Sequence, residues 1–356
     1  MASEFLSVWE NVNSPEYELN AANLGAISPH LLHLGKQYLH PVTGARDTLL
    51  LSGDTVFKVV DSGVHRLFRV NTDIQFRPVD LLDTGSSLTP GTDYHIYIVT
   101  NSGTTANLVV SKNSTYPDGA TAENSRRIGG FHTLCADIGA LQTGTHSLYG
   151  FMARDILPQS CWDLLNRPRT CEPQGMVLDP KTKTWIDIYL QSGTGENTKS
   201  VYQGTVTNTR SWDQHQEDLF AVGKRMLHDN EFTSAAWGTI PYRNVMGSVN
   251  PVTTGGKVNT DGMRIVSNIG CEDMAGCFWQ WIGQDTFTGY SDSGAWGDAN
   301  PTDQGKHYSR INAVVAGGDW GDAADAGARC RHAGDARSDA YGAHGSRGCS
   351  DGLCVL

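Results

Sequence analysis

The cysteines are the residues of this sequence best suited to chemistry, because thiols can act as nucleophiles, metal ligands or disulfide partners. In CEDMAGC, five residues separate Cys271 from Cys277, which is too wide for a CxxC redox motif or a zinc knuckle. The N-terminus MASEFLSVWENVNS has no basic region followed by an apolar one, so we expect no secretory signal. Buried free thiols are therefore favoured over disulfides. The cysteines are Cys135, Cys161, Cys171, Cys271, Cys277, Cys330, Cys349 and Cys354.

Other catalytic or metal-binding patterns are absent or incomplete. The sequence contains no G-x-S-x-G, P-loop, HExxH or dinucleotide-binding fingerprint. WGD at 296–298 and at 320–322 is similar to the WND of calcium-dependent lectins, but the accompanying EPN or QPD is missing. Five Asp between positions 322 and 351 could attract a cation without forming a dedicated site. We predict no cofactor and no metal site, and a calcium-dependent lectin stays an alternative.

Composition argues against two classes of partner. The chain has 356 residues, a formal net charge of −11 and 18% charged residues. Nucleic-acid binding favours clustered Lys and Arg, so we expect no nucleic acid as partner. No stretch reaches the roughly eighteen uninterrupted apolar residues of a membrane-spanning helix, so we expect no membrane insertion.

The first half of the chain predicts β-structure. Short runs rich in β-branched and aromatic residues occur at 47–60, 65–76, 92–102 and 105–113, separated by turn residues. We predict an all-β portion over 46–155, either a β-sandwich or a small barrel. Residues 1–45 show no clear period, and we predict that they form an N-terminal assembly element.

The second half, 156–356, predicts an α+β domain with two short helices. Ser211 and Gln214 have the spacing of a capping box, and Gly223 is a stop signal, which indicates a helix at 212–222. Asp229 as N-cap and Gly238 as terminator indicate a second helix at 230–237. Their spacing predicts that four apolar side chains are buried, namely Leu219, Phe220, Phe232 and Trp237.

Two resemblances to known families lie in this second half. The segments MVLDPKTKTWIDIYLQ (176–191), GKRM (223–226) and MAGCFWQWIGQD (274–285) resemble the formylglycine-generating-enzyme branch of the C-type lectin fold. The run GGDW…GARCR…ARS…GSRGCSD within 313–353 resembles the variable region of target proteins of diversity-generating retroelements, whose members include a phage tropism determinant. The resemblance implies a C-terminal C-type-lectin-like domain behind the all-β portion.

The residue alphabet of the C-terminus agrees with such diversification. From Gly321 to Leu356 there is no Lys, Met, Ile, Thr, Asn, Glu, Gln or Trp. In this family, template adenines are copied to random bases, so AAC codons become NNC, which cannot encode Lys, Met, Glu, Gln or Trp. The alternative is a GC-rich, low-complexity tail, which would not predict Trp320 and Arg347 at family positions.

The resemblance assigns roles residue by residue. It implies constant scaffold residues at Trp320, Arg329, Arg337 and Arg347. It implies variable, ligand-binding residues at Asp319, Gly321, Asp322, Asp325, His332, Gly334, Asp335, Asp339, Tyr341, Gly342, Ala343 and His344. We expect Trp320 to anchor the core, the Arg side chains to bind loop carbonyls, and the variable side chains to lie on the surface.

Together these features predict a non-enzymatic, hypervariable display protein that binds a protein or glycan receptor on a host cell. The resemblance also implies a homotrimer and, if the gene is phage-encoded, a place at the virion tail tip. An enzyme of the formylglycine-generating type, with copper-bound cysteines, is the main alternative. Cys330 and Cys349 are its only candidate ligands near the relevant end of the chain.

Overall fold

The computed structural model describes residues 6–8, 36–61, 64–100, 105–139, 145–287, 296–298, 306–308 and 311–353. Most of the predicted assembly element, residues 1–45, therefore lies outside the described residues. The chain divides into two compact units. Unit 1 comprises Met1–Leu134, Ala153–Arg167 and Leu353–Leu356, and unit 2 comprises Cys135–Met152 and Pro168–Gly352.

Unit 1 is built of antiparallel strands, and all four predicted runs form strands. Its strands are β1 (Leu6–Val8), β2 (Leu39–Pro41), β3 (Leu49–Leu51), β4 (Thr55–Asp61), β5 (Val64–Val70), β6 (Ile74–Phe76), β7 (Asp93–Thr100), β8 (Thr105–Ser111), β9 (Ser125–His132) and β10 (Trp162–Asp163). They form a seven-stranded sheet in the order β10-β9-β7-β8-β1-β5-β4 and a three-stranded sheet in the order β2-β3-β6.

The two sheets of unit 1 share one apolar core, to which Leu49 and Phe76 of the small sheet and Phe68 and Ile96 of the large sheet contribute. Neither sheet closes on itself among the described strands, so the small-barrel alternative is wrong. Strand β9 was not predicted, because its Gly129-Gly130 pair lowers strand propensity. A Cβ at Gly130 would lie 2.4 Å from the Tyr94 carbonyl oxygen, so only glycine fits this close approach.

Unit 2 combines short strands with two helices. Its elements are β11 (Met176–Asp179), β12 (Thr184–Asp187), β13 (Gln191–Ser192), β14 (Lys199–Ser200), α1 (Trp212–Ala221), β15 (Arg225–Met226), α2 (Asp229–Ala235), β16 (Trp279–Phe287), β17 (Trp296–Asp298), β18 (Lys306–Tyr308), β19 (Ile311–Gly317), β20 (Gly327–His332), β21 (His344–Ser346) and β22 (Gly348–Asp351). Two four-stranded sheets have the orders β11-β12-β22-β15 and β20-β19-β16-β21, and β13-β14 and β17-β18 are two-stranded ribbons. No helix in the described residues is long and apolar enough to cross a membrane.

The capping box predicted for α1 is confirmed. The Gln214 amide donates to Ser211 Oγ at 3.2 Å, and the Ser211 amide donates to Gln214 Oε1 at 3.1 Å. Gly223 follows the helix with a φ of 73°, as expected of a stop signal. Helix α2 begins one residue earlier than predicted, because His228 is its N-cap and its amide donates to Glu231 Oε2.

Two of the four side chains predicted to be buried by these helices are not. Leu219 and Phe232 are buried, but Phe220 is 59% exposed and Trp237 is 56% exposed. The buried face of α1 includes the polar residues His215 and Asp218, whose hydrogen bonds offset the cost of burial, so counting apolar positions misplaced the face. Trp237 lies beyond Ala235, the last helical residue of α2.

Candidate functional site

The first predicted variable residues, from Asp319 onwards, lie in a tight turn that follows strand β19. Gly317 and Gly318 have φ values of 97° and 84°, which place the chain in the left-handed region. The Asp319 amide donates to Asp322 Oδ2 at 2.7 Å, and the Gly321 amide donates to Asp319 Oδ1 at 2.7 Å. The two carboxylates thus close the turn in which they lie. Burial, together with the neighbouring Asp322, raises the pKa of Asp319, and the Gly321 amide opposes this rise.

Trp320 lies between these two aspartates and is only half-buried. Its ring packs edge-on against Phe278, with ring centres 5.2 Å apart, at the margin of an apolar cluster. Asn244 Nδ2 donates to the Trp320 carbonyl oxygen. The expectation of a core anchor is therefore met only in part, since Trp320 packs against the apolar cluster but is not fully buried.

The loop 333–343 is the longest predicted variable stretch, and groups outside it hold its backbone. The carbonyl oxygens of Ala333 and Gly342 accept from Asn312 Nδ2 and Asn208 Nδ2 at 2.9 and 3.0 Å. Backbone amides of other residues donate to further loop carbonyls, in the pairs Ala313 to Asp335, Trp212 to Arg337, Thr209 to Tyr341, and Trp279 to Ala343. Most of these contacts do not depend on the side chains of the loop itself. The exception is Asp339, whose Oδ2 accepts the Ala336 amide at 2.9 Å.

Several predicted variable side chains in this loop and directly beside it contact one another. His332 Nδ1 lies 3.0 Å from Asp335 Oδ2, and His344 Nε2 lies 3.6 Å from the same oxygen. The Tyr341 and His344 rings meet edge-on at 5.0 Å, and the Tyr341 hydroxyl donates to Asp339 Oδ2 at 3.4 Å. These residues form one surface, which we call the loop surface, comprising His332, Gly334, Asp335, Asp339, Tyr341, Gly342 and Ala343.

His344 differs from its neighbours because it is buried, which corrects its assignment to the surface. Its ring meets Trp281 edge-on at 4.7 Å, beneath the loop surface. Burial lowers the pKa of the imidazole, and the nearby Asp335 carboxylate partly opposes that effect. Of the remaining predicted variable residues, Gly321 and Asp325 are exposed and Asp319 and Asp322 are half-buried in the first turn.

The predicted scaffold arginines have different environments. Arg347 is 1% exposed and donates to the carbonyl oxygens of Asp187, Ile188 and Glu272, and to Gln280 Oε1. Arg337 is half-buried, donates to Asp213, and lies with its guanidinium carbon 4.0 Å from the centre of the Trp212 ring. Arg329 departs from the prediction, because it is exposed and donates no hydrogen bond within the described part of the chain.

Sequence reasoning missed the residues that support the site from outside it. Asn208 and Asn312 donate to the loop carbonyls. The Trp279 ring packs near His332, and the Trp281 ring packs against His344. Arg331 was also missed, although its guanidinium binds Asp229 at 2.5 Å and Thr233 at 2.7 Å. Of these residues, only the two tryptophans stand out in the sequence, in the run FWQW. No local sequence pattern indicates that a single Asn side chain will hydrogen-bond to a distant loop.

The thiols are uncombined and mostly buried. The described cysteines are free, and burial raises the pKa of both Cys330 and Cys349. Cys330 lies on β20 and Cys349 on β22, which belong to different sheets. Among the described residues, no group of three or more His, Cys, Asp or Glu side chains is arranged to hold a metal ion.

Comparisons with known proteins agree with this architecture. A family model described as the Mtd second domain matches residues 42–163. The tail fiber receptor-binding protein of Bordetella phage BPP-1 is 29% identical over 308 residues, which cover 79% of this chain and 76% of that protein. The solved Major Tropism Determinant M1 variant has a TM-score of 0.73 and 26% identity, and the match covers 92% of this chain and 86% of that one.

The chain is similar to the Major Tropism Determinant (Mtd). The Major Tropism Determinant U1 variant gives the same TM-score of 0.73 at 25% identity, over 91% of this chain and 86% of that one. The similarity therefore includes both units and not only the domain matched by the family model. The Mtd-like α+β fold, with a β-rich first unit and a C-type-lectin-like second unit, agrees with the fold class predicted from the sequence.

Proposed function

We propose that this Mtd-like chain is a receptor-binding display protein, a tropism determinant whose loop surface selects a receptor on a host cell. One observation supports this most directly. The carbonyls of loop 333–343 accept hydrogen bonds from groups outside the loop, while Tyr341 and His332 are exposed. Exposed side chains away from packed features change stability by only about 0.5 kcal/mol when substituted. Such a surface can change its ligand without losing its fold.

The restricted residue alphabet supports diversification by a retroelement as the source of this change. His332, Asp335, Asp339 and Tyr341 all belong to the set that NNC codons encode. The genomic test is a neighbouring reverse-transcriptase gene with a near-copy of the DNA for residues 313–353 that differs only at adenines. A surrounding region without that near-copy would contradict this part of the proposal.

The proposed activity is binding and not catalysis. A copper centre of the formylglycine-generating type needs paired thiolates, but Cys330 and Cys349 lie on strands of different sheets. Their raised pKa values favour protonated thiols, which are poor metal ligands. Copper analysis together with oxygen consumption measures this directly, and cysteine-dependent turnover would contradict the proposal.

The experiment for receptor selection uses the fluorescently labelled full chain on intact cells of a panel of bacterial strains. The variant combines His332→Ser, Asp335→Ser and Tyr341→Ser, and all three changes are reachable through NNC codons. We expect the parent chain to bind at least one strain. The variant should either lose that binding or bind a different strain. Lys199→Ala, an exposed change on β14, is the matched control. Equal binding by parent and variant would contradict the proposal.

The proposed assembly is a homotrimer, placed in the virion tail. The loop surface offers far fewer side chains than the roughly 20–30 residues per side of a standard protein interface, so a single copy should bind weakly. Linked copies raise avidity by about 10²–10⁴-fold, and cyclic symmetry points equivalent surfaces in one direction. Light scattering of the intact chain at micromolar concentration should give three times 38.6 kDa. A strict monomer would contradict the assembly and leave the fold unaffected.

A further inference from the structure

Strand β20 separates the loop surface from a second feature of unit 2. Successive strand residues face opposite sides of a sheet, so Arg329 and Arg331 share one face and His332 lies on the other. The contacts agree with this alternation. His332 packs near Trp279, with ring centres 6.0 Å apart, whereas Arg331 binds Asp229 of helix α2. The face that carries the two arginines borders an open groove.

Two cavities that share Trp237 and Arg329 form this groove. Each has a volume of about 640 Å³, within the range of small-molecule binding sites. The Trp237 indole is 56% exposed, and Tyr242, which lines the first cavity, is 63% exposed. More than half of the surface of each residue is therefore open to solvent.

The second cavity carries an excess of positive charge in an acidic protein. Lys181, Arg329 and Arg331 line it against a single carboxylate, Asp229. Asp229 is already bound by Arg331, whose guanidinium carbon also lies 4.9 Å from the Phe232 ring centre. Lys181 Nζ lies 5.7 Å from the Trp237 ring centre, so its charge is held beside the indole. Asp325 lines the first cavity only, so the second cavity keeps an excess of positive charge.

We infer that this groove binds an acidic sugar. An exposed indole offers a flat apolar face to the C–H face of a sugar ring, and Arg329 offers two parallel N–H donors that match a carboxylate. Lys181 adds a second cation beside the same indole. The site uses Arg329, which carries no structural hydrogen bond in the described part of the chain, and no side chain of the loop surface. The second cavity, which carries the positive charge, is lined by none of the predicted variable residues.

Isothermal titration calorimetry of the full chain with a hyaluronan tetrasaccharide, which carries glucuronate carboxylates, tests this site. We expect saturable binding that weakens as salt is raised. Arg329→Ala and Lys181→Ala should each weaken it by about tenfold, because each removes a charged partner of the carboxylate. Trp237→Ala should abolish binding, and Trp237→Phe should retain most of it.

The controls separate this site from the loop surface and from simple ion binding. Lys199→Ala and Phe220→Ala, an exposed cation and an exposed aromatic elsewhere in unit 2, should leave affinity unchanged. The His332, Asp335 and Tyr341 variant should bind the tetrasaccharide like the parent, so failure of receptor selection and failure of sugar binding are distinguishable. No saturable binding, equal binding of uncharged chitotetraose, or equal affinity for inorganic phosphate alone would each overturn the inference.

Discussion

The turn at 318–322 and the loop at 333–343 belong to the same predicted variable region, but different groups provide most of the hydrogen bonds that hold their backbones. In the turn, the carboxylates of Asp319 and Asp322 themselves accept the backbone amides that close it. In the loop, backbone amides and Asn side chains of other segments donate to the loop carbonyls, as Asn208 does to Gly342. A changed side chain therefore removes a structural bond in the turn. In the loop it removes one only at Asp339, whose carboxylate accepts the Ala336 amide at 2.9 Å.

The comparison shows that exposure is not enough to make a position free to vary. What matters is whether the side chain or its surroundings hold the backbone, because an unmade backbone hydrogen bond costs free energy and an unmade surface contact costs little. By this criterion the loop surface is the better candidate for diversification. Asp319 and Asp322 should tolerate only residues that also accept hydrogen bonds.

The largest loss of stability is expected when a buried scaffold side chain is removed. Arg347→Ala leaves three backbone carbonyls without their buried donor, so we expect a loss of about 3–5 kcal/mol in the free energy of unfolding, measured with urea. Arg329→Ala, at an exposed position, is the matched control and should cost within about 0.5 kcal/mol. Equal losses in the two variants would break the distinction between supporting and displayed side chains.

The next effect concerns pH and the layer under the site, where the Glu272 carbonyl binds Arg347. Burial, and then the adjacent Glu272 carboxylate, raises the pKa of Asp273 from its ordinary 3.8 to about 6. The folded state thus binds a proton at Asp273 more tightly than the unfolded state does. Protonation of Asp273 therefore stabilises the folded state fully below the pKa of the unfolded state, and this stabilisation is lost as pH rises through about 6.

Asp273→Asn removes this titration, so the variant should gain stability relative to the parent by about 1–3 kcal/mol between pH ~4 and pH ~7. Urea unfolding at several pH values measures the difference. Asp325→Asn, which changes an exposed carboxylate, is the matched control. If the free energy of unfolding of Asp273→Asn changes with pH in the same way as that of the parent, Asp273 does not make the scaffold sensitive to pH.

A smaller effect separates the turn from its surroundings. Asp319→Ala and Asp322→Ala should each destabilise the chain by about 1 kcal/mol, because each leaves a backbone amide of the turn without its acceptor. The Asn variants should recover part of that loss by accepting the same amide. Asp325→Ala, whose side chain closes no turn, serves as control in thermal melting. If all three alanine variants melt alike, the turn does not depend on its carboxylates.

The smallest effect on stability is expected in the loop. Tyr341→Ser removes a side chain that is 47% exposed, while the Tyr341 carbonyl keeps the Thr209 amide as donor. We expect a change within about 0.5 kcal/mol, together with altered binding to the selected bacterial strain. A loss comparable to that of Asp319→Ala would remove the contrast between loop and turn.

Sequence patterns predicted the parts of the molecule that depend on near neighbours in the chain. The strand runs of unit 1 and the capping box at Ser211 were recognisable, because alternation and capping involve residues only a few positions apart. The exposure of Phe220 was not, because His215 and Asp218 are buried through bonds to Gln191 and Gly195, which lie in other segments. A periodic count treats such polar residues as exposed.

The candidate site was predictable as a segment and not as a surface. The residue alphabet and the family-like run by themselves predicted a variable region at about 313–353 within a C-type-lectin-like domain, since both are properties of the chain order. Only the tertiary structure decided that His344 is buried, that Arg329 is exposed, and that Asn208 and Asn312 hold the loop. Burial and hydrogen-bond partners depend on which distant segments meet, and no local spacing encodes that meeting.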